Sequence, residues 1–123
     1  MLVTSFVILG VAVFLGSVLA VLHLRREGAA TPPWPLAALH GLLAIVGLCC
    51  LALALRGPPR GLEHGTAYFG TIATALFTMA AFVGAGLLAG RVRKWRIAGI
   101  TIGVHATLAV SGFVILAAYV LAG

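Results

Sequence analysis

Acidic residues are nearly missing from this chain: it has two in 123, against eight Lys and Arg, and no Asn at all. The first apolar run holds no Asp or Glu. With so few carboxylates, no hydrolytic or group-transfer chemistry is implied, and nothing completes a zinc or copper site around a pair of imidazoles. Cysteine is also scarce. Cys49 and Cys50 are adjacent and sit mid-run, and neighbouring helical residues point about 100° apart. They make neither a Cys-x-x-Cys redox pair nor a convincing metal site, and they read as structural filler.

Polar stretches long enough to form a soluble lobe are absent too. The chain is 63% hydrophobic and 8% charged, which excludes a soluble domain with an oily core. Crossing a bilayer takes roughly 20 helical residues, and four stretches qualify, at about Leu2–Leu24, Leu36–Leu55, Thr66–Ala89 and Ile97–Leu121. These runs are continuous, without the alternation of barrel strands, so helices are expected. The predicted fold is an all-α integral membrane protein, a four-transmembrane-helix bundle forming a single domain over residues 1–123. Val18-Leu-Ala20 looks like a signal-peptidase site. No Lys or Arg precedes the first run, however, so it is expected to stay as a true span.

The net charge of +6 does not point to nucleic acid, because the basic residues bunch at span ends. Arg25 and Arg26 lie in the first connection, and Arg91, Arg93, Lys94 and Arg96 in the third. The second holds only Arg56 and Arg60. The excess of basic residues places the first and third connections in the cytoplasm and both termini outside, in what is expected to be a bacterial inner membrane. Trp34 and Trp95 fit an interfacial belt on the same side. Anionic lipid headgroups are sufficient partners for the basic clusters.

What is present is a repeated histidine phrase. His40-Gly-Leu-Leu-Ala-Ile-Val-Gly47 and His105-Ala-Thr-Leu-Ala-Val-Ser-Gly112 share His-x-x-Leu-Ala-(Ile/Val)-x-Gly, and the match continues through Leu51-Ala52 and Leu116-Ala117. Gly16 to Arg26 also aligns with Gly84 to Lys94, matching Gly, Leu and a basic pair. The chain therefore reads as two parallel helix-hairpin repeats, about 2–55 and 66–121, with spans two and four running the same way. Thr31-Pro-Pro-Trp-Pro35 and Gly57-Pro-Pro-Arg-Gly61 break the chain before spans two and three.

An imidazole inside a membrane span is expensive and needs a partner. Counting from Pro35 and Arg96 at 1.5 Å per residue, His40 lies about 7–8 Å and His105 about 13–14 Å into the membrane, both in the cytoplasmic half. Ala44 and Gly47 share a helix face with His40, as Ala109 and Gly112 do with His105. Leu43 and Leu108 lie on the same faces. Small residues there would let a flat macrocycle enter between spans two and four. Two such histidines could thus ligate one haem b, whose propionates would approach Arg25, Arg26, Arg93, Lys94 or Arg96. Bis-histidine ligation suits electron transfer better than oxygen binding.

On these residues the chain resembles the small four-helix b-type membrane cytochromes, loosely the cytochrome b561-like proteins. The resemblance rests on His40, Ala44, Gly47, His105, Ala109 and Gly112. It departs from the two-haem pattern of that group, because His23 and His64 fall on opposite sides of the membrane and supply no second pair. The resemblance implies one haem and exchange of electrons with a quinone or a larger redox complex, rather than a stand-alone enzyme. Two alternatives stay open at this stage. The histidine phrases also suit a helix-packing motif with polar contacts between helices, and the protein would then be a cofactor-free accessory subunit of a larger membrane complex. A homo-oligomer could also bring histidines together across an interface.

Small transporters fit less well. Multidrug exporters of this size carry a buried acid in the first span, and fluoride channels carry an Asn-bearing pore, and both features are missing here. Glu63, His64 and Tyr68 cluster on the outer side, where they read as a solvated loop or a quinone headgroup contact. His23 reads as a snorkelling side chain. Thr71, Thr74 and Thr78 read as bonding their own backbone or a neighbouring helix.

Overall fold

The computed structural model describes residues 1–25 and 33–122. Four helices account for most of them: α1 (Leu2–Arg25), α2 (Trp34–Ala54), α3 (Phe69–Val92) and α4 (Gly99–Leu121). Each is long and apolar enough to cross a membrane. All four are apolar on every side, as helices surrounded by lipid are. The expected spans and the observed helices agree to within three residues at every end.

Local chemistry sets the ends. Pro35 occupies the first turn of α2, where its missing N–H leaves no bond unmade. A short 3-10 turn, Leu62–His64, fills the connection before α3, between Gly61 and Gly65 in left-handed conformation. This turn holds the chain out of α-helix until Phe69, which is why α3 begins three residues after the expected Thr66. At its other end α3 continues past Ala89 and closes in a Schellman motif, in which Trp95 N–H donates to the Gly90 carbonyl at 2.8 Å and Lys94 N–H to Arg91 at 3.2 Å. Lys94 takes the left-handed position, with φ 56°. Glycine usually sits there.

The helices form a ring. α1 packs on α2 and α3 on α4 most extensively, and α1 with α4 and α2 with α3 close the circle. α2 and α4 therefore lie on a diagonal. For description, the end carrying Arg25, Arg91, Arg93, Lys94 and Arg96 is the basic end, where α1 and α3 finish and α2 and α4 begin.

The core fills only the half away from the basic end. Leu9, Leu51, Ala73, Phe77, Leu116 and Tyr119 form one buried cluster. Phe6 stacks on Phe113 beside it, with centroids 5.0 Å apart and planes 7° from parallel. Backbones approach closely at Gly47, where a Cβ would stand 2.7 Å from Leu9 Cγ, and at Gly112, which meets Leu76 and Phe77. In the basic-end half, among the described residues, no side chain is buried. Gly90 alone is, and it is covered by Trp95 and Ile97 of its own loop.

Candidate functional site

The packed core ends at two imidazoles. His40 is the seventh residue of α2 and His105 the seventh of α4, so each lies about 9 Å along its helix. The depths counted from Pro35 and Arg96 differ by several ångströms because α4 begins at Gly99, three residues after Arg96. With the true helix starts, the two rings share one level.

Each ring is tied to the other helix of its own hairpin. His40 Nδ1–H donates to the Ala12 carbonyl at 2.7 Å, and His105 Nδ1–H donates to the Ala80 carbonyl at 2.8 Å. A backbone carbonyl can only accept, so a neutral ring bonded this way carries its proton on Nδ1 and its lone pair on Nε2. Both acceptors lie near the middle of 24-residue helices, where an unpaired imidazole would be most costly.

The two rings meet across the α2–α4 diagonal. Their centroids are 6.0 Å apart and their planes 84° from parallel. Both border one cavity of about 40 Å³, with Ala44 and Ala109 beside them and Leu9, Leu48 and Phe77 closing it toward the packed core. Glycines open the space for the rings. A Cβ on Gly16 would stand 2.8 Å from His40 Cε1, and one on Gly84 would stand 3.0 Å from His105 Cε1.

Of the residues singled out from sequence, His40, His105, Ala44 and Ala109 come together. Gly47 and Gly112 do not border the cavity. They lie one turn further on and serve contact between helices, Gly47 on Leu9 and Gly112 on Leu76 and Phe77. The basic candidates among the described residues stand at the rim and none lines the cavity. Arg25, Arg93, Lys94 and Arg96 are exposed, and Arg26 lies outside the described residues. From Gly16 to Arg25 is nine residues, about 13 Å along α1. Arg93 packs over the Trp95 ring at 5.0 Å, while Arg91 reaches from α3 to the Trp34 ring on α2 at 5.2 Å. His23 is half-buried, and Glu63, His64 and Tyr68 are exposed at the far end. Thr74 and Thr78 bond the carbonyls of Gly70 and Thr74 within α3. Cys49 and Cys50 are free thiols.

Ala12 and Ala80, whose carbonyls accept the bonds from the two imidazoles, were not singled out. A signal for them exists: Ala12-Val-Phe-Leu-Gly16 and Ala80-Ala-Phe-Val-Gly84 both read Ala-x-Phe-x-Gly. The repeat alignment begins at the glycines, one turn too late to include them. Among the described residues no cluster of three or more His, Cys, Asp or Glu side chains is placed to hold a metal ion. No protein-family model, curated protein or solved structure matches this chain.

Proposed function

We propose that this protein is a membrane-bound b-type electron-transfer subunit, with one haem held by His40 and His105 between α2 and α4. The observation that carries the reading is the facing pair itself, with both Nδ1 atoms committed to carbonyls. Histidines that ligate a metal nearly always donate their other N–H to such an acceptor, which fixes the tautomer and makes Nε2 a better donor. The two ring centroids lie 6.0 Å apart across the diagonal.

Room for a macrocycle would come from the basic-end half, where among the described residues no side chain is buried. Ala44 and Ala109 would keep the walls low, and Arg25, Arg26, Arg93, Lys94 and Arg96 would offer charge-assisted bonds to propionates at the rim. When bound, the iron would supply one-electron chemistry, with His40 and His105 as the residues holding it. The chain's own part is to orient the imidazoles by bonding each Nδ1–H to a backbone carbonyl. On the basic-residue asymmetry, this site faces the cytoplasm and both termini face away from it. A haem at one level cannot serve the full membrane thickness, so a quinone or a larger redox complex would be the partner.

One observation favours a second reading, that of a cofactor-free accessory subunit. The cavity between the rings is about 40 Å³, room for a water-sized group and far less than a porphyrin requires. A reduced-minus-oxidised visible spectrum of gently purified protein, with a pyridine haemochrome assay, separates the two. The haem reading expects a low-spin b-type spectrum with one haem per chain, abolished in His40→Ala and in His105→Ala. A colourless, folded protein from haem-replete cells would overturn it in favour of the accessory subunit.

A further inference from the structure

We infer that Gly16 and Gly84 are positioning residues that decide which nitrogen each imidazole presents to the bundle centre. In an α-helix the Ala12 carbonyl already accepts the N–H of Gly16, and the Ala80 carbonyl accepts that of Gly84. A carbonyl oxygen has a second lone pair, and the side chain four residues on stands beside it. Glycine at that place uncovers the lone pair. The imidazole of the neighbouring helix then moves in, to 2.7 Å for His40 and 2.8 Å for His105.

The contacts are close at both positions, and closer at Gly16 than at Gly84. An alanine methyl at 16 would lie 2.8 Å from His40 Cε1 and 3.3 Å from Nδ1, closer than carbon atoms pack, and at 84 the distances to His105 are 3.0 and 3.4 Å. Each ring is anchored at the nitrogen next to the crowded carbon, so moving the ring away stretches the hydrogen bond that sets its tautomer. The glycines of the helix contacts behave differently. Gly47 and Gly112 meet aliphatic and aromatic side chains of the core, and neither touches an imidazole.

This assignment deepens the haem reading, and its meaning for ligation rests on that reading, but it is testable on the protein without haem. The full chain, labelled with ¹⁵N in histidine and reconstituted haem-free in lipid nanodiscs, reports the tautomer of each ring through its imidazole ¹⁵N shifts. His40 and His105 are expected as Nδ1–H tautomers. Gly16→Ala is expected to abolish that signature for His40 and leave His105 unchanged. Gly84→Ala does the reverse with a smaller shift, and Gly47→Ala moves neither. An unaltered His40 tautomer in folded Gly16→Ala overturns the assignment. If that variant does not fold, Gly84→Ala decides in the same way through His105. In haem-loaded protein Gly16→Ala is expected to weaken haem retention about 10–100-fold, as loss of an outer-shell partner does. Tautomers that respond as described in a protein that never takes up haem would sink the haem reading and leave the glycine assignment standing.

Discussion

The two halves of the bundle are built from the same helices and the same residue types, yet among the described residues only one holds fully buried side chains. Away from the basic end, Leu9, Leu51, Phe77 and Leu116 interlock, and Gly47 and Gly112 let backbones close on them. On the basic side of the imidazoles no described side chain is buried. In lipid, helices gain little from hiding apolar surface, because hydrocarbon surrounds them anyway, and what holds them is close contact and hydrogen bonding. Stability therefore belongs to the half where side chains interdigitate. The other half is bounded by two hydrogen-bonded histidines.

That contrast can be broken most sharply in the core. Leu51→Ala and Leu116→Ala remove fully buried side chains and are expected to cost roughly 1–3 kcal/mol each. This reaches below the range of about 2–5 kcal/mol for core leucines in water, since the lost transfer to water does not apply in lipid. Leu88→Ala, at a position 48% exposed in the basic-end half, should change stability by less than about 0.5 kcal/mol. Reversible unfolding in mixed micelles compares them. Equal losses at all three positions would show that the basic-end half is packed after all.

Glycine substitutions sharpen the same contrast at a smaller scale. Gly47→Ala drives a Cβ to 2.7 Å from Leu9 Cγ, an overpacking worth roughly 1–3 kcal/mol. Gly41→Ala meets nothing within 4 Å, and is expected to be neutral or to stabilise by up to about 1 kcal/mol through helix propensity. The sign of the difference, followed by thermal unfolding under circular dichroism, is the test. A smaller effect than the overpacking at Gly47 is expected at the rim. Lys94→Gly relieves a left-handed lysine in the turn that ends α3 and should gain about 0.5–1 kcal/mol. A loss on that substitution would mean that the Lys94 side chain holds more than its backbone geometry costs.

Much of this arrangement is legible in the chain. The four spans follow from apolar length alone, because a bilayer demands about 20 residues per crossing and an internally bonded backbone. The pairing of His40 with His105 is legible in the repeated phrase, since a costly polar group at matching positions implies matching surroundings. The two roles within His-x-x-Leu-Ala-x-x-Gly are not separable by spacing. Ala44 and Ala109 border the cavity, whereas Gly47 and Gly112 serve contacts between helices one turn away. Positions four and seven beyond a histidine share its face, but their neighbours are set by how far the opposing helix has slid along the bundle.

The sequence by itself determined that this protein lives in a membrane, crosses it four times and carries two histidines at matching places in two hairpins, because hydropathy, length and repetition are properties of the chain read in order. Only the tertiary structure decided that both imidazoles share one level, that the Ala12 and Ala80 carbonyls hold them, and that packing stops where they begin. Those facts depend on the slide and ring order of helices whose apolar faces are alike on every side, and hydropathy contains no term for either.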